Sequence, residues 1–542
     1  MTYKTRSGSR YHLTYGCYGA TISCDGTGLS PCSRCVMSSG NNAKGQMPSQ
    51  GMAPRPTGTA GSSHGNVTEQ PPEAVDATRL DAMMSSVMPS GAREVSDALA
   101  NAGFPCHAVG GCVRDSLMGR VPHDWDLTTS ATVEEMRKAF SVAGIKTYDT
   151  GVQHGTLTVV PSNGEPYEVT TYRIDGTYSD GRHPDEVTFT DRLEDDLVRR
   201  DLTMNAIAWS PSDGIVDPFG GIDDIRRGTV RAVGNPVDRM TEDGLRVMRA
   251  IRFASVLGFE MDADTARATH DCLPMLDEIS WERKRDELVK MLASKDSEAL
   301  SKMLREHSDV VFAVVPELAA TATTPQRHLW HRFDNVWDHI VEVVANTPDD
   351  SYVRLAALLH DSGKPACLKV HDDDGGRTSF RGHPSVSTTL ARAAMDRLRF
   401  DAKTRDRVSL LVAEHDRRVS PTMKSVRKAF VRFGSREVFD EWIALRRADV
   451  MGQSEYAQSQ ELPKLAEINR IADELEEQES VFSLRDMRLR GSDLLDMGMR
   501  TGPAVGKVLG DAFALVVDDV LPNERDALLA YARERIAAMT DR

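Results

Sequence analysis

Two aspartates one residue apart, Asp124 and Asp126, follow closely on a glycine pair, Gly110-Gly111, in a chain of 542 residues. Alternate residues of an extended segment face the same side, so the two carboxylates can point at one place. Carboxylates converging beside a glycine-rich turn suit a magnesium ion that also holds triphosphate oxygens. Phosphoryl transfer asks for positioning and charge neutralisation more than covalent chemistry. Gly110 and Gly111 let backbone approach phosphates closely, and the predicted helix after them directs N–H groups at the same place. Arg114, one turn into that helix, is placed to take a phosphate oxygen bidentately. Glu168, in the strand-like run Glu168–Arg173, is a candidate third carboxylate to activate an attacking hydroxyl. The pattern suits nucleotidyl transfer.

Two arginine-bearing segments extend it. Arg200, Asp201 and Asn205 lie about one turn apart if their segment is helical, with Leu202, Met204 and Ile207 on the apolar side. The arginine would fit a triphosphate and the aspartate a ribose hydroxyl. Further on, Asp243, Arg246, Arg249 and Arg252 step by three. On one helix they would form a stripe about 13 Å long, enough to run from a base to a triphosphate. Asp243 accepts hydrogen bonds and Arg246 donates them, so together they can pair with a base edge.

A second set, His339, His360-Asp361, His383, His415 and Asp449, follows in the C-terminal half. Imidazole with carboxylate suits a divalent transition metal, and sequence does not choose among Mn, Fe, Co, Ni and Zn. A third set lies near the N-terminus: Cys17, Cys24, Cys32 and Cys35. Cys32-Ser-Arg-Cys35 is a C-x-x-C pair, which points to zinc, although the spacing from Cys17 to Cys24 is wider than a usual zinc knuckle. A loosely structured leader is the alternative reading of this segment. Cys106, Cys112, Cys272 and Cys367 are scattered and read as small core residues.

The elements that must position these groups divide the chain. Residues 1–36 are the cysteine-rich segment, and 37–77, rich in Ser, Gly and Pro, read as a disordered linker. Strands and helices alternate over 90–233. Strands are expected at Cys106–Val109, Trp125–Thr128, Thr156–Val160 and Tyr167–Thr171, and a helix at Val133–Ala143 with Thr132 as its N-cap. Helical periodicity then runs through 234–325, 326–455 and 456–542. The fold class is α+β: a small mixed-sheet head followed by a long all-α body. Net charge is −15, which alone argues against nucleic acid. Screening over about 8–10 Å and local clusters such as Arg283-Lys284-Arg285 leave the partner open. The absence of a long apolar stretch or secretory signal predicts no membrane association and a cytoplasmic protein. Oligomeric state is not legible.

Gly110-Gly111-x-x-Arg114-Asp115, Asp124-x-Asp126, Arg199-Arg-Asp-Leu-Thr-Met-Asn205 and Glu242-Asp-x-x-Arg246-x-x-Arg249 resemble the ordered motifs of the class II tRNA nucleotidyltransferase and bacterial poly(A) polymerase family. By that resemblance Gly110, Gly111 and Arg114 bind CTP or ATP, and Asp124 and Asp126 hold magnesium. Arg200, Asp201 and Asn205 serve triphosphate and ribose. Asp243 and Arg246 select the base, and Arg249 and Arg252 complete the nucleotide site. Leu202 stands where the family often has phenylalanine. Ile174–His183 is similar to the loop that members use to switch from C to A, which disfavours a CC-only enzyme. The Glu-Asp-x-x-Arg motif favours CCA addition to tRNA over poly(A) synthesis. The histidine series resembles HD-domain phosphohydrolases; by that match His339, His360, Asp361 and Asp449 hold one metal, while His383 and His415 support a second or bind phosphate. An RNA-binding HD hydrolase with an inactive head is the rival reading. The tail, Leu489–Leu495 with Gly502–Gly506, looks like one that holds the tRNA elbow.

Overall fold

The computed structural model describes residues 3–5, 10–12, 20–22, 30–31, 77–176, 187–372, 375–477 and 483–540. Two compact units result, residues 1–73 and 74–542. In the first, the strands Tyr3–Thr5, Arg10–His12, Ala20–Ile22 and Ser30–Pro31 form one sheet, with Tyr3–Thr5 between Ala20–Ile22 and Arg10–His12. Cys17, Cys24, Cys32 and Cys35 lie outside the described residues, as does nearly all of the expected linker.

The head is built on a seven-stranded sheet. Its strands run in the order Gly214–Val216, Ala208–Ser210, Cys106–Val109, Leu127–Thr129, Tyr167–Thr171, Thr156–Val160 and Lys146–Gly151. The pairing of Leu127–Thr129 with Tyr167–Thr171 is parallel and the others are antiparallel, so the sheet is mixed as expected. Ser90–Asn101 and Val133–Ala143 are helices whose Val95, Leu99, Met136 and Phe140 are buried with Leu127, Leu157 and Val169 of the sheet. Thr132 is the N-cap, and Glu135 returns the bond to form a capping box.

Three local expectations need correction. The strand after the aspartates starts at Leu127, not Trp125. Asp124 and Asp126 still flank a buried Trp125 and are both exposed, so the alternation survives ahead of the ladder. Arg200, Asp201 and Asn205 do not share a helix. The helix Leu193–Val198 ends first, Leu202 is extended, and Thr203–Asn205 form a single tight turn. The chain leaves the helix because its backbone pairs elsewhere: Thr203 N–H donates to Arg231, and the Asp201 carbonyl accepts from Val233. Asp243 likewise lies off the arginine helix. It is extended, between the helices Pro236–Glu242 and Leu245–Leu257, and its side chain caps Leu245 N–H at 3.0 Å. A Cβ on Gly244 would sit 2.4 Å from the Met275 carbonyl oxygen, so only glycine allows this junction to pack.

The body is helical. One apolar core runs from Leu202 and Val247 through Leu288 and Val311 to Leu355, Phe430 and Leu475. The buried Arg354 joins two parts of it, donating to the Leu292 carbonyl at 2.9 Å and to Ser294. The tail, 483–540, packs a separate cluster around Leu494, Val508 and Leu528.

Gly221 tests how tightly the Thr203–Asn205 turn is held. A Cβ there would meet the Thr203 carbonyl oxygen at 2.2 Å. Gly221→Ala should cost about 1–3 kcal/mol by overpacking and lower the melting temperature. It should also weaken nucleotide binding, because the turn carries Asn205. An unchanged melt with unchanged affinity would show that the turn yields.

Candidate active site

The parallel pair Leu127↔Val169 places Glu168 beside Asp126 at the start of the ladder, and Glu168 is exposed. The three head carboxylates therefore lie at one end of two neighbouring central strands of the sheet. Partial desolvation raises the Asp126 carboxyl above its ordinary value; Arg200 opposes this and the like charge of Asp124 adds to it. Such a carboxylate is short of positive charge, as a cation ligand would be.

The glycine turn packs directly against the second motif. Gly110 has φ +78°, and a Cβ there would approach Arg200 Nη1 at 3.1 Å. Arg200 pairs with the fully buried Asp196 at 3.2 Å. Arg114 donates to Asn205 Oδ1 at 2.7 Å and to Asp115 at 2.9 Å. Asn205 in turn donates to Asp201, which pairs with Arg249 at 2.6 Å. Glycine turn, tight turn and arginine helix thus form one network.

Phe253, which carried no signal in the sequence, is its hub. The guanidiniums of Arg114, Arg249 and Arg252 lie 4.9, 5.6 and 3.9 Å from its ring centroid. Cation–π contact lets three like charges gather in one place. Glu287, on the helix Trp281–Leu292, compensates further by pairing with Arg252 at 2.6 Å. Arg246 donates to the carbonyls of Arg199 and Arg239 at 2.9 Å each and pairs with Glu242. Arg283 grips Asp243 with two bonds, 2.7 and 3.3 Å. The expected base-reading pair is therefore held from both sides, by partners that spacing alone did not reveal. The strands Arg173–Asp175 and Val187–Phe189 pair as a hairpin; the expected switching loop falls mostly in residues 177–186, outside the described residues.

Burial alone would raise the Asp201 carboxyl, but Arg249 and the Asn205 amide outweigh it and hold it well below the usual range. A carboxyl depressed by folding stabilises the protein above its unfolded pKa, about 3.9, and that contribution is lost as pH falls through the folded value. Acidification below about pH 4 should therefore lower the melting temperature more steeply in the wild type than in Asp201→Asn. Parallel curves would remove Asp201 from the acid sensitivity.

The six HD residues converge in the body, all buried. His339, His360 and Asp449 form one group, and Asp361, His383 and His415 another. Asp361 touches both: one oxygen lies 3.4 Å from His339 Nε2 and 3.1 Å from His360 Nε2, the other 3.1 and 3.6 Å from His383 and His415. Each imidazole spends Nδ1 on a backbone carbonyl, Gly452, Ala357, Phe380 and Val412 respectively, at 2.7–3.2 Å. Nδ1–H donation leaves Nε2 as a lone pair. His383 and His415 then face each other Nε2 to Nε2 at 3.0 Å. His360 Nε2 is buried without a hydrogen-bond partner. Lone pairs and carboxylate oxygens converging on one point fit divalent cations. Lys364, 2.6 Å from Asp361, is a neighbour the motif did not announce.

Comparison with known proteins agrees with this layout. Residues 106–231 match the poly A polymerase head domain, 258–321 the probable RNA and SrmB-binding site of polymerase A, and 335–478 the HD domain. A CCA-adding enzyme of Leuconostoc mesenteroides is 32% identical over 449 residues, 82% of this chain and 96% of that protein. The chain belongs to the CCA-adding enzyme family. The CCA-adding enzyme of Bacillus stearothermophilus, solved in complex with CTP, aligns at a TM-score of 0.61 with 28% identity, over 84% of this chain and all (100%) of that one. The Thermotoga maritima CCA-adding enzyme, solved with tRNA, shares the fold at a TM-score of 0.53 and 17% identity, over 84% of this chain and 98% of that one. Among the described residues no helix is long and apolar enough to cross a membrane.

Proposed function

We propose that this CCA-adding family member extends tRNA 3′ ends with CCA from CTP and ATP, in the cytoplasm. The observation that carries the reading is the meeting of Asp124, Asp126 and Glu168 with Arg200 and the Gly110 turn at one end of the central strands of the head sheet. Asp124 and Asp126 would hold magnesium, which lowers the pKa of the attacking hydroxyl and neutralises the leaving pyrophosphate. Glu168 is placed to take the proton of the tRNA 3′ hydroxyl as its oxygen attacks the α-phosphate. Arg200 and Arg114 orient the triphosphate, and Asp201 and Asn205 the ribose. Arg249 and Arg252 give the incoming nucleotide a fixed positive wall. Asp243 and Arg246 would read the base edge by accepting and donating hydrogen bonds. The head is assigned to 90–233, the nucleotide- and RNA-binding neck to 234–325, the HD domain to 326–455 and a tail that grips the tRNA elbow to 456–542.

A tRNA transcript lacking CCA separates the alternatives. Two additions with CTP alone, and a stop at three when ATP joins it, are expected. A long ladder with ATP alone would mean a poly(A) polymerase, and no extension would leave the HD site as the only activity.

The inward-facing lone pairs of the HD cluster favour a second activity, a metal-dependent phosphohydrolase trimming phosphate or cyclic phosphate from RNA 3′ ends. His339, His360 and Asp449 would hold one divalent transition metal and His383 and His415 a second, with Asp361 between them. Loaded protein that cleaves neither 2′,3′-cyclic nucleotides nor simple phosphomonoesters would end this reading.

A further inference from the structure

A cleft of about 810 Å³ opens beside the HD cluster, within the size range of small-molecule sites. Two of its lining residues also touch the cluster: Gln453 donates to Asp449 Oδ1 at 3.0 Å, and Arg446 pairs with the other oxygen of the same carboxylate. Whatever occupies the cleft therefore abuts the metal ligands.

Its walls carry two kinds of chemistry. One is cationic. Arg417 and Lys464 are neutralised by Glu414 and Glu461; Arg418 is exposed and has no carboxylate partner among the described residues, and the exposed Asp416 is the acidic side chain nearest it in the chain on the same lining. The other is aromatic. Trp330 and Tyr456 meet edge to face with centroids 5.4 Å apart, and Tyr456 is 47% exposed. This pair is braced, because Ser454 N–H donates to the Trp330 carbonyl at 3.0 Å and Ser454 Oγ to that of Leu329 at 2.7 Å. His331, on the same wall, has a buried Nδ1 with no hydrogen-bond partner. Cations and metal ligands would suffice for a bare phosphate ester. A braced aromatic wall adds what a planar base requires.

We propose that this cleft binds a nucleoside phosphate, free or as the last residue of an RNA, with its base against Trp330 and Tyr456 and its phosphate toward Arg418 and the HD cluster. The proposal deepens the phosphohydrolase reading and rests on it for the chemistry, but predicts binding whether or not hydrolysis follows.

Calorimetric titration of the full, metal-loaded chain tests it, with adenosine 3′-monophosphate, an RNA trimer ending in 3′-phosphate, and inorganic phosphate as the baseless probe. Trp330→Ala should weaken nucleotide binding at least about 10-fold, the order set by base–aromatic stacking, and leave inorganic phosphate unchanged. Trp330→Phe should restore most of it, and Tyr456→Ala should reproduce part of the loss; a thermal melt of each variant checks its fold. Nucleotide binding that survives Trp330→Ala at full strength belongs to the head and overturns the proposal. Tighter binding of the trimer than of the mononucleotide names an RNA end as the source, and equal binding names the free nucleotide. Nucleotide binding lost in Trp330→Ala, without hydrolysis by the wild type, keeps the proposal and ends the phosphohydrolase reading. Equal cleavage of adenosine 3′-monophosphate and glycerol 2-phosphate, unaltered by Trp330→Ala, keeps the hydrolase and ends the proposal.

Discussion

Asp124→Ala should reduce CTP and ATP incorporation by about three orders of magnitude or more, the effect of losing roughly 4 kcal/mol of transition-state stabilisation. The side chain is exposed and makes no hydrogen bond or ion pair among the described residues, so its removal leaves no orphan and should leave the melting temperature unchanged. Asp126→Asn should be nearly as damaging to rate. It also removes the negative charge beside Arg200, so nucleotide binding without metal should tighten. Metal content at the HD site should be the same in both variants. Loss of HD metal together with addition would indicate a disrupted fold, and near-normal addition by Asp124→Ala would remove the aspartate pair from the mechanism.

Metal loading should have the second large effect. Chelated protein leaves four buried imidazoles around two carboxylates, with His383 and His415 nitrogen to nitrogen. A divalent transition metal bound only by the folded state stabilises it by about 2.7 kcal/mol at a hundred times its dissociation constant. Mn²⁺, Ni²⁺, Co²⁺ or Zn²⁺ should therefore raise the melting temperature of chelated protein by several degrees. Asp361→Asn should abolish most of the rise, together with the phosphohydrolase activity proposed for this site, while CCA addition persists. Asp361 is the residue to change because its two oxygens face the two halves of the cluster, one toward His339 and His360 and the other toward His383 and His415. An equal rise in the variant would place the metal elsewhere.

What could be read from the sequence depended on how local the cause was. The hairpin strands Thr156–Val160 and Tyr167–Thr171 appear with the predicted bounds, since alternation and the Ser162-Asn-Gly164 turn lie within a few residues. The capped helix Val133–Ala143 is legible for the same reason. Arg200 to Asn205 misled because a backbone tie to Arg231 and Val233, some thirty positions away, pulls the chain out of its helix. Asp243 misled because Met275 demands a glycine beside it. The charged residues of the head site were legible by type and order. Their partners Phe253, Glu287 and Arg283 were not, since an aromatic or a compensating charge has no fixed spacing from what it serves. The HD residues were legible as a series, but the sharing of Asp361 between two groups emerges only when three helices and two helix-end turns meet.

The continuous apolar core beneath the neck and the HD region has a consequence for the life of the chain. Arg354 is sealed at 1% exposure, and its Nη1 donates to the Leu292 and Ser294 carbonyls on the far side of the boundary between the two. A fragment ending near residue 325 would carry bare aliphatic faces and unsatisfied carbonyls into water, and so would a free HD fragment. CCA addition at the head and whatever chemistry the HD site performs would thus be inherited as a single folding unit. A lesion that melts either half withdraws both from the cell at once.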